Sequence, residues 1–315
     1  PCALALAAPV VQVITAGALF QKGILIRSGD MIERMAKIDT IIFDKTGTLT
    51  LPEPSLIDSG DLSDDALLMA ARLSLSSHHP LARAISDAVR EQNKRLEAYP
   101  EAQEITGSGV FCVINGIEAR LGSPSFCNVS EPVWKDDASY IAFSYGAEAG
   151  LISIGQTLRS DAVDVIRRLK QNGYRLMILS GDHTNIVRRV ANDLQILDWR
   201  GHVSPKEKRD LLDELKAQGQ NVLMVGDGMN DAPALAAATA SLSPATGADV
   251  TQAAADAIFT GRKLAPVLEV LMLTRKGRRV MIENFGLALI YNLIAVPLAV
   301  LGFVTPLIAA AAMSG

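Results

Sequence analysis

Asp44 closes an apolar run, Ile41-Ile42-Phe43, and is followed by Lys45-Thr46-Gly47-Thr48. A carboxylate at the carboxyl end of a short buried strand faces the crevice in which α/β sheets bind ligands. Position alone equally fits an aspartate that caps the bend marked by Gly47. Two further runs end the same way. RLMILS (175–180) leads into Gly181-Asp182, and NVLMVGD (221–227) delivers Asp227 ahead of GMNDAPAL. Three polar strand ends meeting in one crevice make a site. Asp44 and Asp227 suit Mg²⁺, a hard cation that takes carboxylate oxygen and keeps water or substrate phosphate as its other ligands. The amides of Thr46, Ser180 and Gly181 offer hydrogen bonds to a phosphoryl group, and Lys208, in SPKEK, is placed to neutralise its charge.

The elements that must position these residues fall into two patterns. After the turn LPEP (51–54), residues 61–73 and 80–94 read as amphipathic helices, with Ser63 as N-cap of the first. GVFCVINGIEARLG (109–122) predicts a hairpin about Asn115-Gly116, and 140–145 with 150–154 a second strand pair turning at AEAG. Helices followed by hairpins predict a small α+β unit. From residue 160 the pattern alternates: helix 161–172, strand 175–180, helices 184–195 and 206–218, strand 221–227, helix 231–239, then the short strands SLSP and AIFT. This predicts a doubly wound α/β domain whose sheet is completed by the strand at 41–43 and whose chain is interrupted by the α+β insert.

The 315 residues are long enough for two cores, and a net charge of −4 with both signs interspersed gives no reason to expect nucleic acid as a partner. Three cysteines, Cys2, Cys112 and Cys127, form no CxxC pair, which argues against a disulfide scaffold or structural zinc. Residues 2–20 and 285–315 carry no charge and read as membrane segments. The second run would be roughly 46 Å long as one helix against a hydrocarbon core of roughly 30 Å. Pro297, Gly302 and Pro306 therefore predict a helix ending near 301, a turn and a second helix. Arg275, Lys276, Arg278 and Arg279 beside the last segment, with Lys22 and Arg27 after the first, place residues 22–284 on the cytoplasmic side. A chain that opens inside one apolar helix and closes inside another is expected to be a piece of a longer membrane protein.

DKTGTLT (44–50), SGD (180–182), the P-x-x-K at 205–208 and GDGMNDAPAL (226–235) resemble, in that order, the phosphorylation-domain motifs of P-type ATPases. The resemblance covers nearly the whole chain. It implies a haloacid-dehalogenase-like phosphorylation domain interrupted by a nucleotide-binding domain and flanked by transmembrane helices. The expected order is a partial membrane helix (1–21), a first phosphorylation segment (22–50), the nucleotide-binding domain (51–154) and a second phosphorylation segment (155–262). A cytoplasmic linker helix (263–284), a membrane helix (285–301) and a truncated one (304–315) complete it. It implies that Asp44 attacks the γ-phosphate of ATP to form an aspartyl phosphate, with Lys208, Asp182 and Thr46 as further catalytic residues. Ser180, Gly181 and Asn230 are then the phosphate contacts, and Thr46 and Asp231 join Asp44 and Asp227 around Mg²⁺. The wider superfamily usually has a second Asp two residues after the nucleophile; Thr46 stands there instead, which implies slow hydrolysis of the acyl phosphate.

SSHHPLARAI (76–85) resembles the Ser-x-His-Pro-Leu motif of the heavy-metal branch, which makes His79 and Pro80 nucleotide-binding, with Gly107 and Gly109 as the branch's Gly-x-Gly. Ser74 stands where many copper pumps are acidic, Cys112 replaces a frequent glycine, and Gln156 replaces an Asp that often precedes LRxDA (158–162). PCALALAAP (1–9) resembles the end of a Cys-Pro-Cys membrane motif. With Tyr291-Asn292 and Met313-Ser314 it implies a Cu(I) pathway through Cys2, Tyr291, Asn292 and Met313, since soft thiolates select soft metals. The final segment, YNLIAVPLAVLGFVTPLIAAAAMSG, further resembles bacterial copper pumps of the cytochrome oxidase assembly type. The resemblance thus implies ATP-driven export of Cu(I), or Ag(I) as a mimic, across a bacterial inner membrane, with the metal brought by a metallochaperone. The present piece is expected to bind ATP and phosphorylate itself but not to transport. The rivals are a membrane-anchored phosphatase of the same superfamily and a non-enzymatic nucleotide-binding module.

Overall fold

The computed structural model describes residues 3–92, 95–130, 138–227, 231–245 and 254–301. By internal contacts the chain divides into two units, one made of residues 1–48, 160–181 and 190–315, the other of 49–159 and 182–189. The expected insert therefore begins and ends slightly outside 51–154, and it gains the turn-and-helix segment that starts at Asp182.

The first unit is built on a seven-stranded sheet. Its strands are β1 (Ile24–Ile26), β2 (Thr40–Phe43), β9 (Arg175–Leu179), β10 (Asp198–Arg200), β11 (Val222–Val225), β12 (Ala240–Pro244) and β13 (Ala257–Phe259). The spatial order is β1-β13-β12-β11-β2-β9-β10, parallel throughout except for the antiparallel edge pair β1–β13. The chain leaves β2 toward β9 and β10 on one side and returns to β11, β12 and β13 on the other, so the topological switch lies between β2 and β11. In open α/β sheets that is where a ligand crevice forms. All four residues of β2 and of its neighbour β11 are buried, as are the last four of its other neighbour, β9. Such continuous apolar strands belong to a sheet covered on both faces. On one face Ile42, Met177, Leu179, Val222 and Met224 pack against Leu211, Leu212 and Leu215 of helix α7 (Pro205–Ala217) and Leu235 of α8 (Ala232–Ala237). The alternate residues Ile41, Phe43, Ile178, Leu223 and Val225 point the other way and are equally buried.

Two juxtaposed helices complete this unit. Helix α1 (Ala3–Gln21) packs along α9 (Ala265–Val300), while α2 (Asp30–Met35) and α5 (Ala162–Gln171) contact the early part of α9. The sequence predicts a linker helix over 263–284 and a separate membrane helix from 285; instead one helix runs through both. Residues 265–298 form the one described helix long and apolar enough to cross a membrane, and little of its most apolar stretch is buried within the protein. Ile290, Leu293, Ile294 and Val296 are exposed along it, as lipid-facing residues would be. Its amino end is tied to the α/β domain: both carboxylate oxygens of Asp161 accept from Leu264 N at 2.8 and 3.0 Å, and Oδ2 also accepts from Ala265 N at 2.8 Å.

The second unit is a six-stranded antiparallel sheet in the order β3 (Ser55–Asp58), β8 (Glu148–Gly155), β7 (Ala138–Tyr145), β6 (Ile117–Gly122), β5 (Gly109–Ile114), β4 (Gln103–Ile105). The β5–β6 hairpin turns on Asn115 and Gly116, with φ of 52° and 79°. Two positive φ values are what a tight hairpin turn matching strand twist requires. Helices α3 (Asp64–Ser74) and α4 (Pro80–Glu91) pack on the sheet through Leu73 and Ile85 against Val110, Leu121, Phe143 and Ile152. Ser63 caps α3, its hydroxyl accepting from Ala66 N at 3.1 Å. Between β9 and β10 the chain also forms α6 (Thr184–Asp193).

Candidate active site

The site is assembled where β2, β11 and the start of α7 come together. Asp44 follows the last residue of β2, and its backbone N donates to Val225 O of β11 at 2.8 Å, which holds it at the switch point. Helix α7 is started by a reciprocal cap: Ser204 Oγ accepts from Glu207 N at 3.3 Å and Glu207 Oε2 accepts from Ser204 N at 2.8 Å, with Pro205 at the first helical position. That arrangement satisfies the exposed amides of the first turn and fixes where Lys208 leaves the helix. Lys208 Nζ then donates to Asp44 Oδ1 at 2.6 Å and to Asp231 Oδ1 at 2.6 Å. All three side chains are buried.

Close approach of backbone and carboxylate explains the glycines beside these acids. Gly47 has φ +68°, and a Cβ there would lie 1.5 Å from Asp227 Oδ2. The Asp227 carboxylate thus occupies the space a side chain at 47 would fill, which brings it over the turn that begins at Asp44. At Gly226 a Cβ would meet Asp231 Oδ2 at 2.7 Å, so this residue likewise makes room for a site carboxylate. Three acids and one lysine leave the site with an excess of negative charge. Burial first, and the neighbouring Asp231 carboxylate second, push Asp44 up to about 7 against the pull of Lys208. Burial works to lower Lys208, but Asp44 and Asp231 together hold it above the ordinary lysine value. A buried ammonium between two carboxylates is retained as a charge by those partners.

The residues fit Mg²⁺ by charge and by donor chemistry: hard oxygens, an excess of buried carboxylate, and Asp227 seated against the Asp44 turn. Among the described residues no three acidic, histidine or cysteine side chains form a ready-made cage. Mg²⁺ characteristically takes one or two carboxylates and completes its shell with water and phosphate, so a cage is not required. Asp231, expected from sequence as a Mg²⁺ ligand, is engaged by Lys208 through Oδ1. Its role as the second anchor of that lysine had no sequence signal, because nothing in the spacing of residues 208 and 231 brings them together.

The other expected residues are placed as follows. Thr46 is half-buried on the turn after Asp44. Ser180 is buried at the end of β9, but its amide donates to Arg200 O at 3.1 Å. That corrects the expectation that the Ser180 amide contacts phosphate, since the link to β10 has claimed it. Gly181 follows it in the first unit, while Asp182 begins the segment whose contacts lie in the second. Asn230 lies outside the described residues, as do Cys2 and Met313. Tyr291 and Asn292 are half-buried on α9, and Asn292 Nδ2 donates to Ala288 O of the same helix at 2.8 Å.

Within the second unit a cavity of about 320 Å³ is lined by His79, Gly107 and Gly109 together with Ser77, Glu104 and Tyr140. Its size lies at the lower end for small-molecule sites. His79 serves as N-cap of α4, its Nδ1 accepting from Leu81 N at 3.2 Å, with Pro80 at the first helical position. That bond leaves Nε2 as the protonated nitrogen of the neutral ring. At Gly109 a Cβ would meet Leu121 O at 2.2 Å and Gly122 Cα at 2.6 Å. The neighbouring strand therefore demands this glycine, whatever binds in the cavity. Ser74 is buried and donates to Ala71 O within α3, outside the cavity lining. Glu104, to which no sequence motif points, also lines the cavity.

Comparison with known proteins adds an independent line. The family model for haloacid dehalogenase-like hydrolases matches residues 38–239. Among curated proteins, the nitrogen fixation protein FixI of Bradyrhizobium diazoefficiens is 48% identical over all of this chain and 43% of its own length. A copper-transporting P-type ATPase of Rhizobium leguminosarum bv. viciae is 35% identical over all of this chain and 40% of its own. The chain thus spans about two-fifths of the curated relatives it matches. Among solved structures, a zinc-transporting PIB-type ATPase in its E2.Pi state is similar with a TM-score of 0.77 at 27% identity, covering all of this chain and 54% of that one.

Proposed function

The chain belongs to the haloacid dehalogenase-like hydrolase family, and from that premise we propose that it is the phosphorylation and nucleotide-binding part of an ATP-driven heavy-metal pump working through an aspartyl phosphate on Asp44. The observation that carries this reading is the buried Lys208 ammonium 2.6 Å from both Asp44 and Asp231. Lys208 engages Oδ1 of Asp44, so Oδ2 is the attacking oxygen. A bond forms between Oδ2 and the γ-phosphorus of ATP as the bond to the β,γ-bridging oxygen breaks, and ADP leaves with the electron pair. Water later attacks the aspartyl phosphate, releasing inorganic phosphate and restoring the carboxylate. Lys208, pinned by Asp231, offsets the charge gathering on the transferred group without having to reorganise. The cavity beside His79 and Gly107 holds the nucleotide that donates the phosphoryl group, and Gly181 and Asn230 with the Ser180 hydroxyl complete the phosphate contacts. Asp182 supports the same site as a catalytic residue. Mg²⁺, when bound by Asp44 and Asp227 with Thr46, would screen the phosphate charge and orient the group for in-line attack.

The transported ion in this reading is Cu(I), carried past Cys2, Tyr291, Asn292 and Met313 through a bacterial inner membrane and delivered by a metallochaperone. Proteins named for copper and for zinc both stand among the relatives, so the choice rests on the soft sulfur of Cys2 and Met313 and on the resemblance of Tyr291-Asn292 to the copper branch. The test is phosphoenzyme formation from γ-labelled ATP in the full-length protein with single metals added. Cu(I) and Ag(I) are expected to raise the labelled fraction severalfold and Zn²⁺ to leave it at the metal-free level. Stimulation by Zn²⁺ alone would overturn the copper assignment.

A further inference from the structure

The nucleotide cavity carries a feature that its glycines and histidine do not account for. Its walls include the apolar side chains of Leu81, Ala82, Ile105 and Ile141, and among the described residues Glu104 is the one carboxylate in its lining. Glu104 is held in place: Oε1 accepts from Ser77 Oγ at 2.7 Å and from His78 N at 3.3 Å. Ser77 Oγ in turn accepts from His79 N at 3.1 Å. The carboxylate, the serine and the cap of α4 therefore form one connected group, with Oε1 occupied and Oε2 remaining as an acceptor. The Ser77 hydroxyl holds the Glu104 carboxyl below the usual glutamate range, so it is ionised at neutral pH and can only accept hydrogen bonds.

An ionised carboxylate at the edge of an apolar slot distinguishes purines by what they carry at carbon 6. Adenine presents an amino group there, a donor that Oε2 can engage. Hypoxanthine and guanine present a carbonyl oxygen, which would set lone pairs against a negative charge. We propose that Glu104 is the specificity-determining residue of this cavity, selecting a 6-aminopurine nucleotide over its 6-oxo counterparts through Oε2. The inference rests on the reading of the cavity as the nucleotide site and adds the base that the site selects.

The experiment is titration calorimetry of the full chain in detergent, with EDTA present to prevent turnover, using ATP and inosine triphosphate on the unmodified protein, Glu104→Gln and Ser77→Ala. A hydrogen bond to a charged group supports a preference for ATP on the order of tenfold or more in the unmodified protein. Glutamine keeps the size of the side chain but can donate as well as accept, so E104Q is expected to bring the ratio of the two affinities close to one. S77A, which loosens Oε1, is expected to reduce the ratio only in part. An E104Q protein that binds ATP with the ratio unchanged, or that loses both nucleotides equally, overturns the assignment to Glu104 and leaves the cavity as a nucleotide site. Failure of the unmodified protein to bind either nucleotide overturns both readings.

Discussion

Thr46 stands two residues beyond Asp44, the proposed nucleophile, on the turn that follows it. A threonine hydroxyl is no base at neutral pH, so water meeting an acyl phosphate at Asp44 has no carboxylate at that position to take its proton. Replacing it with aspartate supplies one. The Thr46→Asp protein is expected to lose its phosphoenzyme faster by roughly a hundredfold, at the lower end of what a positioned general base contributes. A chase with unlabelled ATP after labelling reads that rate directly, and an unchanged decay would remove Thr46 from the account. Several of the site residues could be named from sequence because the signal is local: an apolar strand that ends in a carboxylate points to a crevice. What could not be named were relations between distant residues. The pinning of Lys208 by Asp231 spans two elements, the seat of Asp227 over Gly47 is a matter of backbone approach, and the loss of the Ser180 amide to Arg200 depends on an edge strand.

Elements differ in how much of themselves they declare. The β5–β6 hairpin is legible because Asn115-Gly116 is a strong turn signal between two strand runs, and α7 because Ser204, Pro205 and Glu207 write its start. The strands ILI (24–26) and DWR (198–200) are three residues long and sit at the sheet's edges, too short to show any periodicity. The split expected in α9 came from the charge-free run that begins at Phe285, which marks where a helix turns apolar and says nothing of where its backbone stops. Asp161 gives α9 its start. Accepting from the amides of Leu264 and Ala265 across 103 and 104 residues of sequence, it caps the helix from the α/β domain. Loss of such a cap costs about 1 kcal/mol. Asp161→Ala is therefore expected to lower the stability of the first unit by about that amount, and Asp161→Asn by less, in denaturant unfolding of the detergent-solubilised chain. An alanine variant as stable as the original would show that α9 starts without help from Asp161.

On the scale of the molecule, two units with separate sheets and separate cores divide the proposed labour. The antiparallel unit offers a cavity with apolar walls and a few fixed polar groups. The parallel unit offers a buried carboxylate, a pinned lysine and an acid seated for a divalent cation, and it carries the one described helix long enough to span a bilayer. The doubly wound pattern and the insert within it were readable because strand and helix alternate regularly after residue 160 and cease to do so between 51 and 154. The limits of the insert were less readable, since the contacts of residues 182–189 follow the fold and not the chain. All of this converges on one covalent event at Asp44. The most direct test is to expose the purified full-length protein briefly to γ-labelled ATP with Mg²⁺, quench in acid, and treat with hydroxylamine, with Asp44→Asn in parallel. The account predicts label that survives acid, is released by hydroxylamine and is absent from the variant. Label retained by D44N, or rapid ATP hydrolysis with no acid-stable label at any time point, would contradict it.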